Sequence, residues 1–228
     1  MRISEMFYSI QGEGFLCGVP SFFVRTTGCN LRCSFCDSPH TSWNPEGKEH
    51  SIDEIMENAA RHPSRHVVIT GGEPYLQNEL PELCDRFNDA GYHITIETAG
   101  TVFKPLRADL LSISPKLSNS IPRDQDDGKH AQRHDAARIN PEILRLLMAQ
   151  AEHQLKFVVD APADLKEIEI FLQELGGVER NRVLLMPQGI TRKELDDRAE
   201  WLVEYCKREN YRYCPRLHIE LYGNKRGT

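Results

Sequence analysis

The sequence predicts an α/β fold built on parallel strands, and its hydrophobic pattern carries that prediction. Apolar runs alternate with helical patterns from one end of the chain to the other, which is typical of repeated strand–helix units. Several of these runs are too uniformly apolar for a sheet with one wet face, as expected of strands covered on both sides. No internal repeat or low-complexity tract interrupts the pattern, so we expect a single domain over residues 1–228.

The candidate strands follow one another along the chain. They are residues 20–28, 66–72, 92–98, 109–115, 153–160 and 181–187, with RYCPRLHIEL at 212–221 as the last. Helix starts are recognisable between them. Ser51 with Glu54 and Thr191 with Glu194 have capping-box spacing. Asn140 is a favoured N-cap residue, and the proline that follows it is favoured as the first residue of a helix.

One segment departs from the alternation of strands and helices. Residues 118–139 are polar and highly charged, and we expect them to form an exposed excursion rather than a second domain. His130 and His134 are four residues apart, a spacing that could bind a metal ion on a helix. The surrounding charges favour two solvated side chains instead.

The bulk composition excludes several classes of protein. Hydrophobic residues make up 39% and charged residues 27% of the chain, which is ordinary for a globular protein with a core. A net charge of −6 argues against a surface that coats nucleic acid or an anionic membrane. The N-terminus lacks the pattern of a secretory signal, so we expect a cytoplasmic protein.

The distinctive loops all follow predicted strands. They are GCNLRCSFCD at 28–37, GGEP at 71–74, ETAGT at 97–101, SPK at 114–116 and MPQG at 186–189. In parallel α/β architectures the ligand site gathers at the carboxyl ends of the strands. We therefore expect these loops to face one cavity.

The first of these loops places Cys29, Cys33 and Cys36 within eight residues, which leaves two kinds of metal site open. In one, His40 completes a Cys₃His zinc site that would only staple the loop. In the other, the thiolates hold three irons of a 4Fe-4S cluster and the fourth iron stays free for an exogenous ligand. The chain would be a zinc-stapled binding module in the first case and an enzyme in the second.

The second alternative resembles the radical S-adenosylmethionine (SAM) superfamily, whose signature is CxxxCxΦC with an aromatic residue before the last cysteine, here Phe35. The glycines of GGEP support it, since they let the backbone approach a ligand closely. The resemblance implies a partial, incomplete radical SAM-type βα barrel with parallel strands. It also implies that SAM chelates the open iron and is cleaved to a 5′-deoxyadenosyl radical.

A finer resemblance covers essentially the whole chain. SIQGEG, GVPSFFVRTTGCNLRC, CDSPHTSW, VVITGGEP, IETAGT, ISPK and LHIELYGNKRG are similar to segments of the 7-carboxy-7-deazaguanine synthase family. That resemblance implies conversion of 6-carboxy-5,6,7,8-tetrahydropterin to 7-carboxy-7-deazaguanine with loss of ammonia, in queuosine and archaeosine biosynthesis. A glycyl-radical activating enzyme, which acts on a polypeptide, is the alternative within the superfamily.

The resemblance also assigns roles to particular residues. The pterin contacts that it implies are Ile10, Gln11, Gly12, Glu13, Arg25, Thr70 and His218. The SAM contacts are Phe35, Cys36, Asp37, Gly72, Ser114, Pro115, Lys116, Met186, Pro187, Gln188 and Gly189. The guanidinium of Arg25 suits a bidentate contact to the pterin carboxylate.

The family is magnesium-dependent, and its metal ligand is the hydroxyl two residues after the last cysteine, which is Ser38 here. Mg²⁺ commonly keeps waters and takes ligands from the substrate, so one hydroxyl is sufficient from the protein. The resemblance further implies a homodimer and a flavodoxin or ferredoxin as electron donor. The chain continues as GNKRGT where shorter relatives end in a carboxylate that meets the substrate, so that role is not assigned to Thr228.

Overall fold

A computed structural model describes all 228 residues as one sheet with helices packed against it. The strands are β1 (Arg2–Ile10), β2 (Pro20–Thr26), β3 (Lys48–Glu49), β4 (His66–Gly71), β5 (His93–Thr98), β6 (Leu110–Ile113), β7 (Glu152–Val159), β8 (Val183–Pro187) and β9 (Arg212–Tyr213). The helices are α1 (Ile52–Ala60), α2 (Leu80–Asp89), α3 (Ala131–Ala137), α4 (Pro141–Gln150), α5 (Pro162–Leu175), α6 (Arg192–Glu209) and α7 (Leu217–Tyr222).

The sheet has nine strands in the order β3-β1-β2-β4-β5-β6-β7-β8-β9. All pairs from β2 to β9 are parallel, whereas β1 runs antiparallel to both β2 and β3. The edge strands β3 and β9 are not paired with each other, so the sheet does not close. This architecture confirms the predicted partial barrel.

The core lies between the central strands and the helices. Val67, Val68 and Ile69 are consecutive in β4 and almost completely buried, so both faces of the strand are covered. On the helical side Leu83 and Phe87 of α2 join the same hydrophobic cluster as Val67 and Ile69. None of the helices is long and apolar enough to span a bilayer.

The predicted helix starts are confirmed. At Ser51 and Thr191 the side-chain oxygen accepts from the backbone N–H of the glutamate three residues on, and each glutamate reaches back to complete the capping box. Asn140 accepts from the first amides of α4. These contacts are local, so a short stretch of sequence is enough to specify them.

Two predictions about the chain ends are wrong. Residues 2–10 form β1, which was not among the candidate strands, because its mixture of polar and apolar residues lacks a long apolar run. At the other end only Arg212–Tyr213 pairs with β8, and Leu217–Tyr222 is a helix. Pro215 lies between them and has no N–H to continue a ladder.

The turn after β4 crosses closely over the end of β2. Gly71 has φ +125°, and a Cβ there would lie 2.0 Å from the carbonyl oxygen of Thr26. A Cβ on Gly72 would lie 2.1 Å from the carbonyl oxygen of Gly28. The two glycines of GGEP thus let this turn pack against the start of the cysteine loop.

We expect Gly71→Ala to lower the free energy of unfolding by about 2–4 kcal/mol, because backbone strain and steric overlap each cost about 1–3 kcal/mol. Gly91→Ala is the matched control. Gly91 also has a positive φ of +75°, but no atom lies within 4 Å of its Cβ position. Urea unfolding followed by circular dichroism measures both variants, and equal losses would show that the close approach to Thr26 is not the cause.

Candidate functional site

A cavity of about 450 Å³ opens at the carboxyl ends of the parallel strands. Residues from all five predicted loops line it, which confirms that these loops face one space. The predicted site residues on its wall are Ile10, Gln11, Gly12, Glu13, Arg25, Cys29, Cys33, Phe35, Cys36, Asp37, Ser38, Thr70, Gly72, Ser114, Lys116, Met186, Gln188, Gly189 and His218. Pro115 and Pro187 are not part of the wall.

The QGEG loop, residues 11–14, starts beside the amino end of β2 and reaches the cavity from there. Because β1 is antiparallel to β2, Ile10 lies beside Pro20 at the amino end of β2. The chain then crosses the inward face of the sheet to β7, where the N–H of Phe15 donates to Oε1 of Gln154 at 2.7 Å. The loop therefore spans the side of the barrel that the sheet leaves open.

The two glycines of this loop lie directly against other side chains, which explains why the sequence has glycine there. A Cβ on Gly12 would be 1.9 Å from Nδ1 of His218. Gly14 has a positive φ, and its Cβ would be 2.2 Å from Nε2 of Gln154. A side chain on Gly12 would displace His218, and one on Gly14 would be strained by the positive φ and would displace the Gln154 amide, so packing favours glycine at both positions of this candidate recognition loop.

Glu13 of this loop is the centre of a buried ion network. Its Oε2 pairs with Nζ of Lys156, and its Oε1 accepts from Nε of Arg216 at 2.9 Å. Arg216 also pairs with Oδ2 of Asp37 and donates Nη1 to the carbonyl of Gly189 at 2.6 Å. The side chains of Lys156 and Arg216 are each only 7% exposed, so the contacts are shielded from water.

The network keeps its members charged. Burial would raise the pKa of Glu13, but Lys156 and Arg216 outweigh it and hold that pKa well below its usual range. Burial acts in the same direction on Asp37, and Arg216 again lowers the pKa. Burial alone would lower the pKa of Lys156, but Glu13 raises it. Both carboxylates and both cations are therefore ionised at neutral pH.

Cys29, Cys33 and Cys36 lie on one wall of the cavity and none is in a disulfide. Burial raises the pKa of Cys29 to about 11 and that of Cys33 to about 12. Since thiolates are the ligands, loading iron must release protons from this loop. No fourth cysteine is on the wall, so the residues fit a cluster with one open coordination position.

The Cys₃His zinc alternative finds no support in the geometry. Nε2 of His40 lies 3.1 Å from Oε1 of Glu5, where it forms a hydrogen bond. No group of three His, Cys, Asp or Glu side chains in the chain is placed to hold a single metal ion. His40 therefore belongs to the polar wall near Glu5 and not to the thiols.

The polar excursion supports the cysteine loop from outside the cavity. Ser34 donates its N–H to the carbonyl of Ser120 at 2.8 Å and its hydroxyl to Asn119 at 3.1 Å. Gln125 donates to the carbonyl of Ser34 at 2.7 Å. Residues 123–127 are exposed as expected, but the two flanks of the excursion pack against the loop.

His134 shows that the prediction of two solvated histidines is wrong. It is 1% exposed, and its Nδ1 accepts the N–H of Arg32 at 3.0 Å. Nε2 therefore carries the hydrogen and lies 2.9 Å from Oγ of Ser120, whose hydroxyl donates to Leu117. Burial lowers the pKa of His134 to about 4, so the ring is neutral at pH 7. A neutral imidazole thus holds the backbone between two cluster cysteines.

Buried polar contacts also join the other strand ends. Glu73 of the GGEP loop is fully buried and accepts from Oγ1 of Thr98 at 2.8 Å and from the N–H of Ala99 at 2.9 Å. Lys116 donates to the carbonyl and the hydroxyl of Ser114 at 2.9 and 2.8 Å. The contacts of Glu73 thereby hold the ends of β4 and β5 together, whereas those of Lys116 stay within the loop after β6.

Arg25 and Ser38 are close together on the wall. Nη1 of Arg25 donates to Oγ of Ser38 at 3.4 Å, and Ser38 donates to Oδ1 of Asp37 at 3.2 Å. Nε of Arg25 lies 3.1 Å from Oε1 of Glu5, although not along a hydrogen-bond direction. The guanidinium also lies over the ring of Phe7 at 5.4 Å. This part of the wall thus combines the guanidinium of Arg25 with oxygen atoms of Glu5, Asp37 and Ser38 that could bind a metal ion.

Sequence reasoning missed several wall residues. They are Glu5, Glu97, Lys156, Arg216 and the tail residues Asn224, Lys225, Arg226 and Thr228. Lys156 could have been identified from the sequence, because it is a charged residue within an apolar strand that is otherwise expected to be buried. No sequence pattern indicates Arg216, because its partners Glu13 and Asp37 are 203 and 179 residues away along the chain.

Comparison with known proteins identifies this arrangement. Residues 23–118 match the radical SAM superfamily. The chain is 46% identical to the 7-carboxy-7-deazaguanine synthase of Halobacterium salinarum, over 98% of this chain and 91% of the relative. It is 45% identical to that of Rhodopirellula baltica, over 100% and 89%. The chain belongs to the 7-carboxy-7-deazaguanine synthase family.

The fold agrees with solved structures of this superfamily. The crystal structure of QueE from Escherichia coli superimposes with a TM-score of 0.71 at 26% identity, covering 95% of this chain and 94% of that one. The structure of TYW1, with a TM-score of 0.60 at 17% identity, shares the fold alone. As a radical SAM enzyme, the protein uses a 4Fe-4S cluster and SAM. The zinc module and the glycyl-radical activating enzyme are thereby set aside.

The contact between His134 and Arg32 predicts how firmly the protein holds its cluster. In His134→Asn the amide oxygen can replace Nδ1 as acceptor, whereas the longer side chain of His134→Gln reaches toward Ser120 and leaves the Arg32 amide unsatisfied. An unsatisfied buried amide costs about 1–3 kcal/mol, so iron loss should be about 10-fold faster in the glutamine variant.

The measurement is the rate at which a chelator removes iron from anaerobically reconstituted protein. The asparagine variant is the matched control and should stay close to the wild type. Equal rates for the two variants would show that the Nδ1 contact does not support the cluster loop.

Proposed function

We propose that the protein converts 6-carboxy-5,6,7,8-tetrahydropterin to 7-carboxy-7-deazaguanine and ammonia by radical ring contraction, in 7-deazapurine biosynthesis. The observation that carries the proposal is the shared cavity. One wall holds the three cluster cysteines, and the side of the cavity that the sheet leaves open is spanned by the QGEG loop, so a radical generator and a polar recognition surface meet in one space. The full-length similarity to relatives that bear this name supports the same substrate.

The wall near the cysteines suits SAM. When bound, the cluster and SAM supply a radical that removes a hydrogen atom from carbon 6 of the pterin and later returns it. The carbonyls after β8 and the hydroxyl, carboxylate and ammonium groups nearby offer partners for the amino acid and ribose parts of SAM. The residues proposed for this role are Phe35, Asp37, Gly72, Ser114, Lys116, Met186, Gln188 and Gly189.

Pterin recognition is proposed to depend on a carboxylate that the sequence did not single out. Both oxygens of Glu13 are already bound by Lys156 and Arg216. Glu97 has a side chain that is 35% exposed and accepts on Oε2 from Oγ1 of Thr70 at 2.7 Å. Its remaining lone pairs suit the donor edge of a pterin ring. Glu13 would then act mainly by holding the loop and its charges in place.

Arg25 is proposed to bind the pterin carboxylate. Its side chain lines the cavity and is 20% exposed, and only Nη1 has a hydrogen-bond partner among its terminal nitrogens. Tail residue Arg226 adds a second cation at the same side, where it pairs with Glu46 at 3.0 Å and lies 3.8 Å from Glu5. An anionic substrate would therefore find compensating charge at this end of the cavity.

Magnesium is proposed to bind at Ser38. The hydroxyl of Ser38 lies between the carboxylate of Asp37 and the guanidinium of Arg25. A pterin carboxylate on Arg25 would reach the same place and supply further oxygen ligands, as Mg²⁺ prefers. The ion would hold the substrate's carboxylate during the rearrangement.

We expect Ser38→Ala to raise the magnesium concentration needed for half-maximal turnover about 10-fold, the effect of losing about 1.4 kcal/mol of ligand interaction, or to abolish turnover. SAM binding, measured by equilibrium dialysis, should be unchanged because the hydroxyl is not one of the proposed SAM contacts. An unaltered magnesium dependence would refute this site.

Assembly and electron supply are further proposals. We propose a cytoplasmic homodimer that receives electrons from a flavodoxin or ferredoxin and binds neither nucleic acid nor membrane. The net charge of −6 supports the last point. Light scattering of the loaded enzyme tests the dimer, and turnover with each purified donor protein tests the electron supply.

The proposed reaction is tested with anaerobically reconstituted enzyme, SAM, reductant, Mg²⁺ and 6-carboxytetrahydropterin. Mass spectrometry should show 7-carboxy-7-deazaguanine and ammonia while SAM is not consumed in proportion. SAM cleavage without any deazapurine would keep the radical chemistry and reject the substrate.

A further inference from the structure

Arg216 contacts three loops of the cavity with one guanidinium group. Nε donates to Glu13 in the QGEG loop, and Nη2 pairs with Asp37 immediately after the last cluster cysteine. Nη1 donates to the carbonyl of Gly189 in the loop after β8 at 2.6 Å. Every nitrogen of the side chain is therefore used, each on a different loop.

These loops belong to the two halves of the proposed site. Asp37 and Gly189 lie on the SAM side, and Glu13 lies on the pterin side. The chain around Arg216 holds the pterin side in two further ways, since the N–H of Leu217 donates to Gly12 at 2.9 Å and the ring of His218 packs against Gly12. The connection between the halves thus runs through one short C-terminal segment.

The planar guanidinium is what allows this connection. Its donors point in fixed directions, so three acceptors on it have fixed relative positions. A lysine would retain the charge but its single ammonium group could not reach all three loops. Without the guanidinium group, the QGEG loop could shift relative to the loops that contain Asp37 and Gly189.

We infer that Arg216 is a positioning residue that sets the distance between carbon 6 of the pterin and the 5′ carbon of SAM. The inference rests on the proposed function. Hydrogen transfer requires the two carbons to be in near contact, and a displacement of about 1 Å can cost about 100-fold in rate. If carbon 6 of the pterin and the 5′ carbon of SAM are not held close together, both the removal of the hydrogen atom and its return should become less efficient.

Such failure has a chemical signature. Each uncoupled event consumes one SAM, two electrons from the reductant and one proton from solvent, and it yields methionine and 5′-deoxyadenosine without regenerating SAM. We expect Arg216→Lys to form about 10-fold more 5′-deoxyadenosine per deazapurine than the wild type. The dissociation constants of SAM and of the pterin, measured separately, should change much less than this ratio.

Arg182→Lys is the matched control. Its guanidinium also joins several groups, with contacts to Glu152 at 2.6 Å, to the carbonyl of His153 at 3.1 Å and to Glu179 at 3.5 Å. These lie at the amino ends of β7 and β8, away from the cavity. This variant should keep the wild-type ratio of 5′-deoxyadenosine to deazapurine.

The outcomes separate the two proposals. If wild-type protein forms no deazapurine, the proposed function fails whatever Arg216 does. If the wild type is active and Arg216→Lys slows turnover with an unchanged ratio, Arg216 has no positioning role. Should the lysine variant not fold, as judged by circular dichroism, Asp37→Ala removes one arm of the connection at a side chain that is 41% exposed. Because Asp37 is also a proposed SAM contact, the ratio in this variant is measured at saturating SAM, and the dissociation constant of SAM separates lost positioning from lost SAM binding. An unchanged ratio in that variant also overturns the inference.

Discussion

The buried ion network around Glu13 is the interaction on which the cavity depends. Taking an ion out of water costs several kcal/mol, and only close pairing offsets that cost. Glu13, Asp37, Lys156 and Arg216 meet this condition together, because two carboxylates face two cations with little exposure of the cations. Moving the QGEG loop would leave the ammonium of Lys156 and the guanidinium of Arg216 without their shared carboxylate in the interior. The loops are therefore held as a unit before any ligand arrives.

The open sheet makes this network possible. A closed barrel would fill its centre with side chains from neighbouring strands, whereas here β3 and β9 are not paired and space remains. The antiparallel β1 sends the QGEG loop across that space to β7. A polar loop at the centre of an α/β sheet needs partners for its own groups, and Gln154, Lys156 and Arg216 supply them. The gap in the barrel thus becomes the surface proposed for pterin recognition.

The cysteine loop has a different kind of support. It contains no helix or strand, so its backbone groups must find partners elsewhere. The excursion supplies them through Ser120, Gln125 and the neutral ring of His134. A segment whose composition suggests only a solvated loop therefore shapes the ligand loop for the cluster.

The sequence by itself determined what depends on neighbours along the chain. The cysteine spacing, the helix caps at Ser51, Asn140 and Thr191, and the alternation of strands and helices along the chain are all local patterns, and the structure contains them. Only the tertiary structure decided that His134 is buried and that Arg216 reaches Glu13. Those contacts join residues separated by 102 and 203 positions, and a favourable ion pair leaves no periodic signal in either segment. Pairing in a dry interior is a property of the assembled fold, because only there does an unpartnered polar group carry a cost.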